Sequence, residues 1–292
     1  MFNQLSSLKK ATLFYGIALS LIVLVALLGQ GLGESILAIA MFTPLAAVLL
    51  MQFVVTRDGT SRDGWTILGL HKLGLRTWGI AIVAPFLVML CTYGIAWTIG
   101  IGRLDPTLLG EVIALEGPGE IMDTVLNILI GLIIAAALAF GEEIGWRGYL
   151  LPHLSQLGRP RALLLSGFLQ GFWHLPIMLL TPFYHASGDR WTVSILFLLT
   201  LTAAGVFYGY LRLTSNSVWP VALAHGAFNM SWTTFSAITV AVTSTEVLEL
   251  WAGESGVITL IEVALVAAWL IYRLQGQPFT PQRALPAIAD QS

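Results

Sequence analysis

Seven polar residues stand where an otherwise apolar chain would not be expected to place them. They are Glu142, Glu143 and Arg147 in Gly-Glu-Glu-Ile-Gly-Trp-Arg (141–147), His174 in Gly-Phe-Trp-His-Leu-Pro (171–176), His225 and Asn229 in Ala-His-Gly-Ala-Phe-Asn (224–229), and Glu262. Each falls inside or at the edge of a run long and apolar enough to cross a bilayer, where an ionisable group is costly and is by default a functional candidate. Neighbours on a helix are separated by about 100°, so Glu142 and Glu143 cannot point the same way. Glu143 and Arg147 are four apart and share a face, so they can pair. That leaves Glu142 free for another partner: one carboxylate held by the arginine, the other available for chemistry. The alternative is that both glutamates end a helix in the headgroup region, and the motif alone does not choose between these. His174 alone reads as a hydrogen-bonded core histidine. His225 and Asn229 share one helical face among small residues (Ala222, Ala224, Gly226, Ala227) that let membrane helices approach closely. Such a pair can bind a metal or a substrate carbonyl, or simply bridge two helices. Glu262 stands by itself and is expected to pair with a polar group on another helix, and Asn127 and Gln170 are expected to bridge helices.

The elements that must position these residues are membrane helices. Of 292 residues, 57% are hydrophobic and 10% charged, against about 25% charged in a soluble domain, and mean hydropathy is +0.82. So little charge cannot coat a soluble globule of this size, and lipid is the expected solvent. A net charge of -2 argues against a nucleic-acid partner. The single cysteine, Cys91, can form no intrachain disulfide and no cysteine-based metal site, and reads as a buried apolar filler. Spans of about 20 residues are expected at Ala11–Leu28, Ser35–Val55, Trp78–Gly100, Ile121–Phe140, Ala162–Leu180, Val193–Leu213, Val218–Phe235 and Gly256–Tyr272. The first, after Lys9 and Lys10, is too long for a signal-peptide core and reads as an uncleaved helix. The fourth is expected to continue through Glu142 to Leu151 and to be stopped by Pro152. The fold class is therefore all-α: a polytopic transmembrane bundle of about eight spans. It divides into N-terminal helices and loops (1–120), a four-helix core (121–235), a last helix (236–275) and a Pro-containing disordered tail (276–292).

The loops agree with this count. Alternating sides along the chain, all of the 14 basic residues except Arg103 and Arg190 collect on the side of the N-terminus. The positive-inside rule then places both termini in the cytoplasm, with the plasma membrane as the expected site. The apolar runs are continuous rather than alternating, which excludes a β-barrel.

Three segments, in order, resemble the CPBP family of intramembrane endopeptidases (CAAX proteases and bacteriocin-processing enzymes). That family has a Glu pair with an Arg five residues after the first Glu, here Glu142, Glu143 and Arg147. A Phe four residues before a His follows, here Gln170 and His174, so the Phe position departs from the pattern. The third motif is a His four residues before an Asn or a small residue, here His225 and Asn229, preceded by Ser-Val-Trp-Pro at 217–220. The resemblance covers roughly 126–235. It implies peptide-bond hydrolysis, with Glu142 and His174 activating water, His225 and Asn229 stabilising the oxyanion, and Glu143 and Arg147 holding the helix end. The family is often described as metalloprotease. Glu142, His174 and His225 would be the zinc ligands, and a metal-free glutamate–histidine site is the slightly favoured alternative. Membrane lipid and a membrane-associated peptide or protein, prenylated CAAX-type chains among them, are the implied partners. A non-catalytic scaffold or bacteriocin-immunity protein of the same fold, and a proton-linked transporter, are the rival readings. A transporter would need discontinuous helices in matching halves, and the sequence shows no such repeat.

Overall fold

A computed structural model describes residues 5–113, 118–184 and 188–275; the expected tail lies outside them. Its principal helices are α1 (Ser7–Leu28), α2 (Ser35–Met41), α3 (Thr43–Leu50), α4 (Trp78–Thr98), α5 (Pro118–Glu143), α6 (Arg159–Leu180), α7 (Arg190–Ser215), α8 (Trp219–Ala237), α9 (Thr245–Ala252) and α10 (Val257–Gln275). Two three-residue strands, β1 (Gly102–Leu104) and β2 (Thr239–Ala241), pair antiparallel with Gly102 opposite Ala241. They tie the segment after α4 to the segment after α8.

Local signals account for several boundaries. The Ser6 hydroxyl caps α1 and the Asp189 carboxylate caps α7, accepting from the Thr192 amide at 2.8 Å. Pro160 and Pro220 occupy the first turns of α6 and α8, where a missing N–H costs nothing. Asn216, with φ 53°, ends α7.

Seven helical segments among the described residues are long and apolar enough to cross a membrane. The seventh expected span, Val218–Phe235, forms as α8. His225, Asn229, Ser231, Thr233 and Thr234 make it more polar than the others, so it is not one of the seven. It is instead an inner helix, with Val221, Ala222, Ala224, His225, Ala227 and Phe228 buried, packed mainly on α5 and α4. The outer helices turn apolar residues outward, Leu27, Ile133 and Leu265 each being more than half exposed, as expected of an integral membrane protein.

The expected span Ser35–Val55 forms, built from α2, α3 and a π-turn (Met51–Val55), with Pro44 in the first turn of α3. Three other expectations are corrected. Pro152 does not stop the fourth span. A π-turn (Ile144–Leu150) precedes it, a short α-turn (Leu151–Leu154) carries it, and the segment ends at Gly158, φ 84°. The wider π-turn offsets the hydrogen-bond ladder and leaves room for the ring. Cys91 is exposed rather than buried, and Asn127 lies on an exposed stretch of α5, because lipid-facing and core-facing positions are equally apolar. Glu262 behaves as expected: the Thr92 hydroxyl of α4 donates to its Oε2 at 2.8 Å.

Candidate active site

The site forms where the end of α5 meets α6, α7 and α8. Residues 141–150 are all buried. The π-turn that begins at Ile144 changes the helical register immediately after the two glutamates, a local feature often found at functional sites. Close helix approach brings the partners in. A Cβ on Gly205 of α7 would lie 2.5 Å from the Gly167 Cα of α6, and 3.1 Å from an Arg147 guanidinium nitrogen. A Cβ on Gly226 of α8 would lie 2.5 Å from the Ala136 backbone nitrogen of α5. Glycine at these points lets the backbones touch and delivers His225 to the Glu pair.

The two carboxylates face different partners, as the 100° step requires. Glu143 is fully buried. Its two oxygens each accept from Arg147 Nη1 at 3.0 Å, and its Oε1 lies 2.9 Å from His225 Nδ1. Glu142 Oε2 accepts from Gln170 Nε2 at 3.0 Å and lies 3.9 Å from His174 Nε2. Gln170 joins the two halves, because Arg147 Nη1 also donates to its Oε1. His174 Nδ1 lies 2.9 Å from the Gln170 carbonyl oxygen. A carbonyl only accepts, so Nδ1 carries hydrogen, and in the neutral ring Nε2 presents its lone pair towards Glu142.

Aromatic rings enclose the polar chain. Tyr208 stacks on His225 at 5.6 Å between ring centroids, and the Arg147 guanidinium sits 5.1 Å from the centre of the same Tyr208 ring. His174 packs against Trp173, Phe197 and Tyr184. Tyr184 donates to Glu254 Oε2 at 2.8 Å. Burial first, and then the Glu254 charge, push the Tyr184 phenol well above its ordinary range, so it remains a donor across the physiological range. The Tyr184–Glu254 pair also lines a cavity of about 550 Å³ between α7, α9 and the loop before α10.

Of the residues singled out in the sequence, Glu142, Glu143, Arg147, His174 and His225 are brought into one connected cluster. Asn229 lies one turn beyond His225, half-buried, with its Oδ1 buried and without a hydrogen-bond partner. Glu262 belongs to a separate contact with Thr92. Sequence reasoning did not identify Gln170 as a link between the two carboxylates, nor Tyr208, Tyr184 and Glu254 as neighbours. Only the polarity of Gln170 one turn before His174 signalled the first.

The zinc reading does not fit this arrangement. His225 turns its Nδ1 to Glu143, not to Glu142 or His174. Among the described residues no group of three His, Cys, Asp or Glu side chains is gathered as a metal-binding set, whereas a catalytic zinc site needs three protein ligands.

Residues 124–231 match the family model of type II CAAX prenyl endopeptidase Rce1-like proteins. This central segment of the chain is similar to the Rce1-like family. The matched segment runs from α5 into α8 and contains every member of the polar cluster. No curated protein matches the chain. The match agrees with the resemblance carried by the three motifs.

Proposed function

We propose that this protein hydrolyses a peptide bond of a membrane-associated peptide or protein, prenylated CAAX-type chains being the first class to test, using water activated by Glu142 and His174. The observation that carries the reading is the facing of Glu142 Oε2 and His174 Nε2 at 3.9 Å within a buried cluster inside the family-matched segment. That separation is too long for a direct hydrogen bond, and one water bonded to both atoms would lie at ordinary distance from each. Both atoms are acceptors when the carboxylate is ionised and the ring neutral, so they draw on the same water's hydrogens.

The water oxygen attacks the scissile carbonyl carbon, and its proton passes to Glu142. The carbonyl oxygen becomes an oxyanion, which the Asn229 side-chain amide and, in its charged form, His225 Nε2–H would hold. As the carbonyl reforms, the C–N bond breaks and the proton held by Glu142 passes to the departing nitrogen. Glu143 and Arg147 do not take part in these transfers. They fix His225 and the end of α5. The excess of basic residues in the loops on one side supports an orientation with both termini in the cytoplasm.

The experiment uses the full chain purified in detergent and offers a peptide with and without an isoprenoid on its cysteine, in water enriched in oxygen-18. The expected result is cleavage of the prenylated peptide, with one heavy oxygen in the new carboxyl terminus and an unchanged rate in chelator. Products without that label would remove the hydrolytic reading, and chelator-sensitive cleavage would remove the metal-free one.

A further inference from the structure

We propose that Gln170 is a positioning residue that sets the reacting geometry of both Glu142 and His174. The proposal rests on the reading that these two residues activate the water.

Gln170 is fully buried, and three of its polar atoms are engaged at the site. Arg147 Nη1 donates to the side-chain Oε1, the side-chain Nε2 donates to Glu142 Oε2 at 3.0 Å, and the main-chain carbonyl faces His174 Nδ1 at 2.9 Å. The orientation of the amide is not free. A guanidinium only donates and a carboxylate only accepts, so the oxygen must face Arg147 and the NH2 must face Glu142. Reversal would set donor against donor and acceptor against acceptor in a buried site, where each unsatisfied group is costly. Arg147 therefore fixes the rotation of the Gln170 amide, and that amide fixes Glu142 Oε2 opposite His174 Nε2. The main-chain carbonyl of the same residue keeps hydrogen on His174 Nδ1 and leaves Nε2 as the acceptor.

The amide also separates two electrostatic roles. Glu143 receives the arginine's charge directly, at 3.0 Å from both of its oxygens. Glu142 receives a neutral donor whose far end is held by that arginine. One guanidinium nitrogen thus immobilises both carboxylates but pairs ionically with only one, leaving the other to take up and release a proton. The Phe expected here from the family resemblance has no polar atoms and could form neither side-chain bond, so in this chain the glutamine is a distinct solution to holding the base.

Two measurements on the purified chain test this. The first needs no substrate: melting temperatures in detergent of Gln170→Leu, Glu142→Ala and the double variant. If the amide holds Glu142, the double variant loses markedly less than the two single losses added together, as expected of groups that share a bond. Additive losses would overturn the contact. The second is cleavage of the prenylated peptide. Gln170→Leu is expected to lower kcat by about 10²-fold, the scale of a 1 Å misplacement, while KM changes by less than about twofold. Gln170→Glu keeps an acceptor for Arg147 but turns an oxygen towards Glu142, so its kcat should fall at least as far. Near-wild-type kcat in Gln170→Glu would show that only the Arg147 contact matters, and would overturn the proposal. Glu142→Ala in the same assay separates the two levels: if it still cleaves, the functional reading has failed rather than the positioning one.

Discussion

Removing Arg147 alone should destabilise the protein far more than removing it together with Glu143. Both side chains are completely buried, with Nη1 at 3.0 Å from each glutamate oxygen. At that distance and an effective dielectric constant of about 20, the attraction between unit charges is about 5 kcal/mol. Breaking one partner of a buried pair typically costs about 3–5 kcal/mol, because the other charge is left in a low-dielectric interior. His225 Nδ1 remains on Glu143 in the variant and offsets part of the loss, so Arg147→Met should cost about 3 kcal/mol. Adding Glu143→Gln removes the stranded charge. The amide can still accept from His225, and the double variant should recover more than half of that loss. The assay is reversible unfolding in mixed micelles, followed by tryptophan fluorescence. The buried Trp146 and Trp173, which lie 5.6 Å apart beside the cluster, report on its packing. A double variant no more stable than Arg147→Met would refute the reasoning, since it would mean that the arginine acts through its bulk against Tyr208 rather than through its charge.

Two other outcomes follow from the same geometry. Asn229→Ala should lower kcat by about 10²–10³-fold, the scale of one lost oxyanion donor, with little change in melting temperature, because the Asn229 Oδ1 makes no hydrogen bond in the resting site; steady-state kinetics beside a thermal melt checks both halves. Gly226→Leu should abolish accumulation of folded protein, since even a Cβ there would lie 2.5 Å from the Ala136 nitrogen and α8 could not stay seated on α5; membrane-fraction immunoblots and size-exclusion profiles in detergent give the answer.

What could be read from the sequence was whatever local helix geometry determines. The Glu143–Arg147 pair follows from a spacing of four, and the divergence of Glu142 from Glu143 follows from the 100° step. The inward face of α8 was legible in Ala222, Ala224, Gly226 and Ala227, because small residues allow contact only where a neighbour is present. What could not be read depends on which turn of one helix meets which turn of another. Gln170 lies 28 residues from Glu142, and Tyr184 lies 70 from Glu254; no spacing rule links such positions. The π-turn at 144–150 was equally invisible, and it undid the expectation that Pro152 ends the span. Cys91 shows the converse limit. In lipid an apolar side chain fits either face of a helix, so hydropathy finds the span without finding its buried side.

The most direct test of the central claim, that Glu142 and His174 activate water for peptide hydrolysis, is the cleavage rate of Glu142→Gln, an isosteric change that keeps one acceptor oxygen at the site and removes the base. It should be measured beside His174→Ala and wild type on the prenylated peptide, with equal amounts of folded protein confirmed for each. Loss of a general base predicts a fall of about 10²–10⁴-fold in kcat for Glu142→Gln, and a comparable fall for His174→Ala. A Glu142→Gln protein that cleaves within a few-fold of wild type would contradict the account.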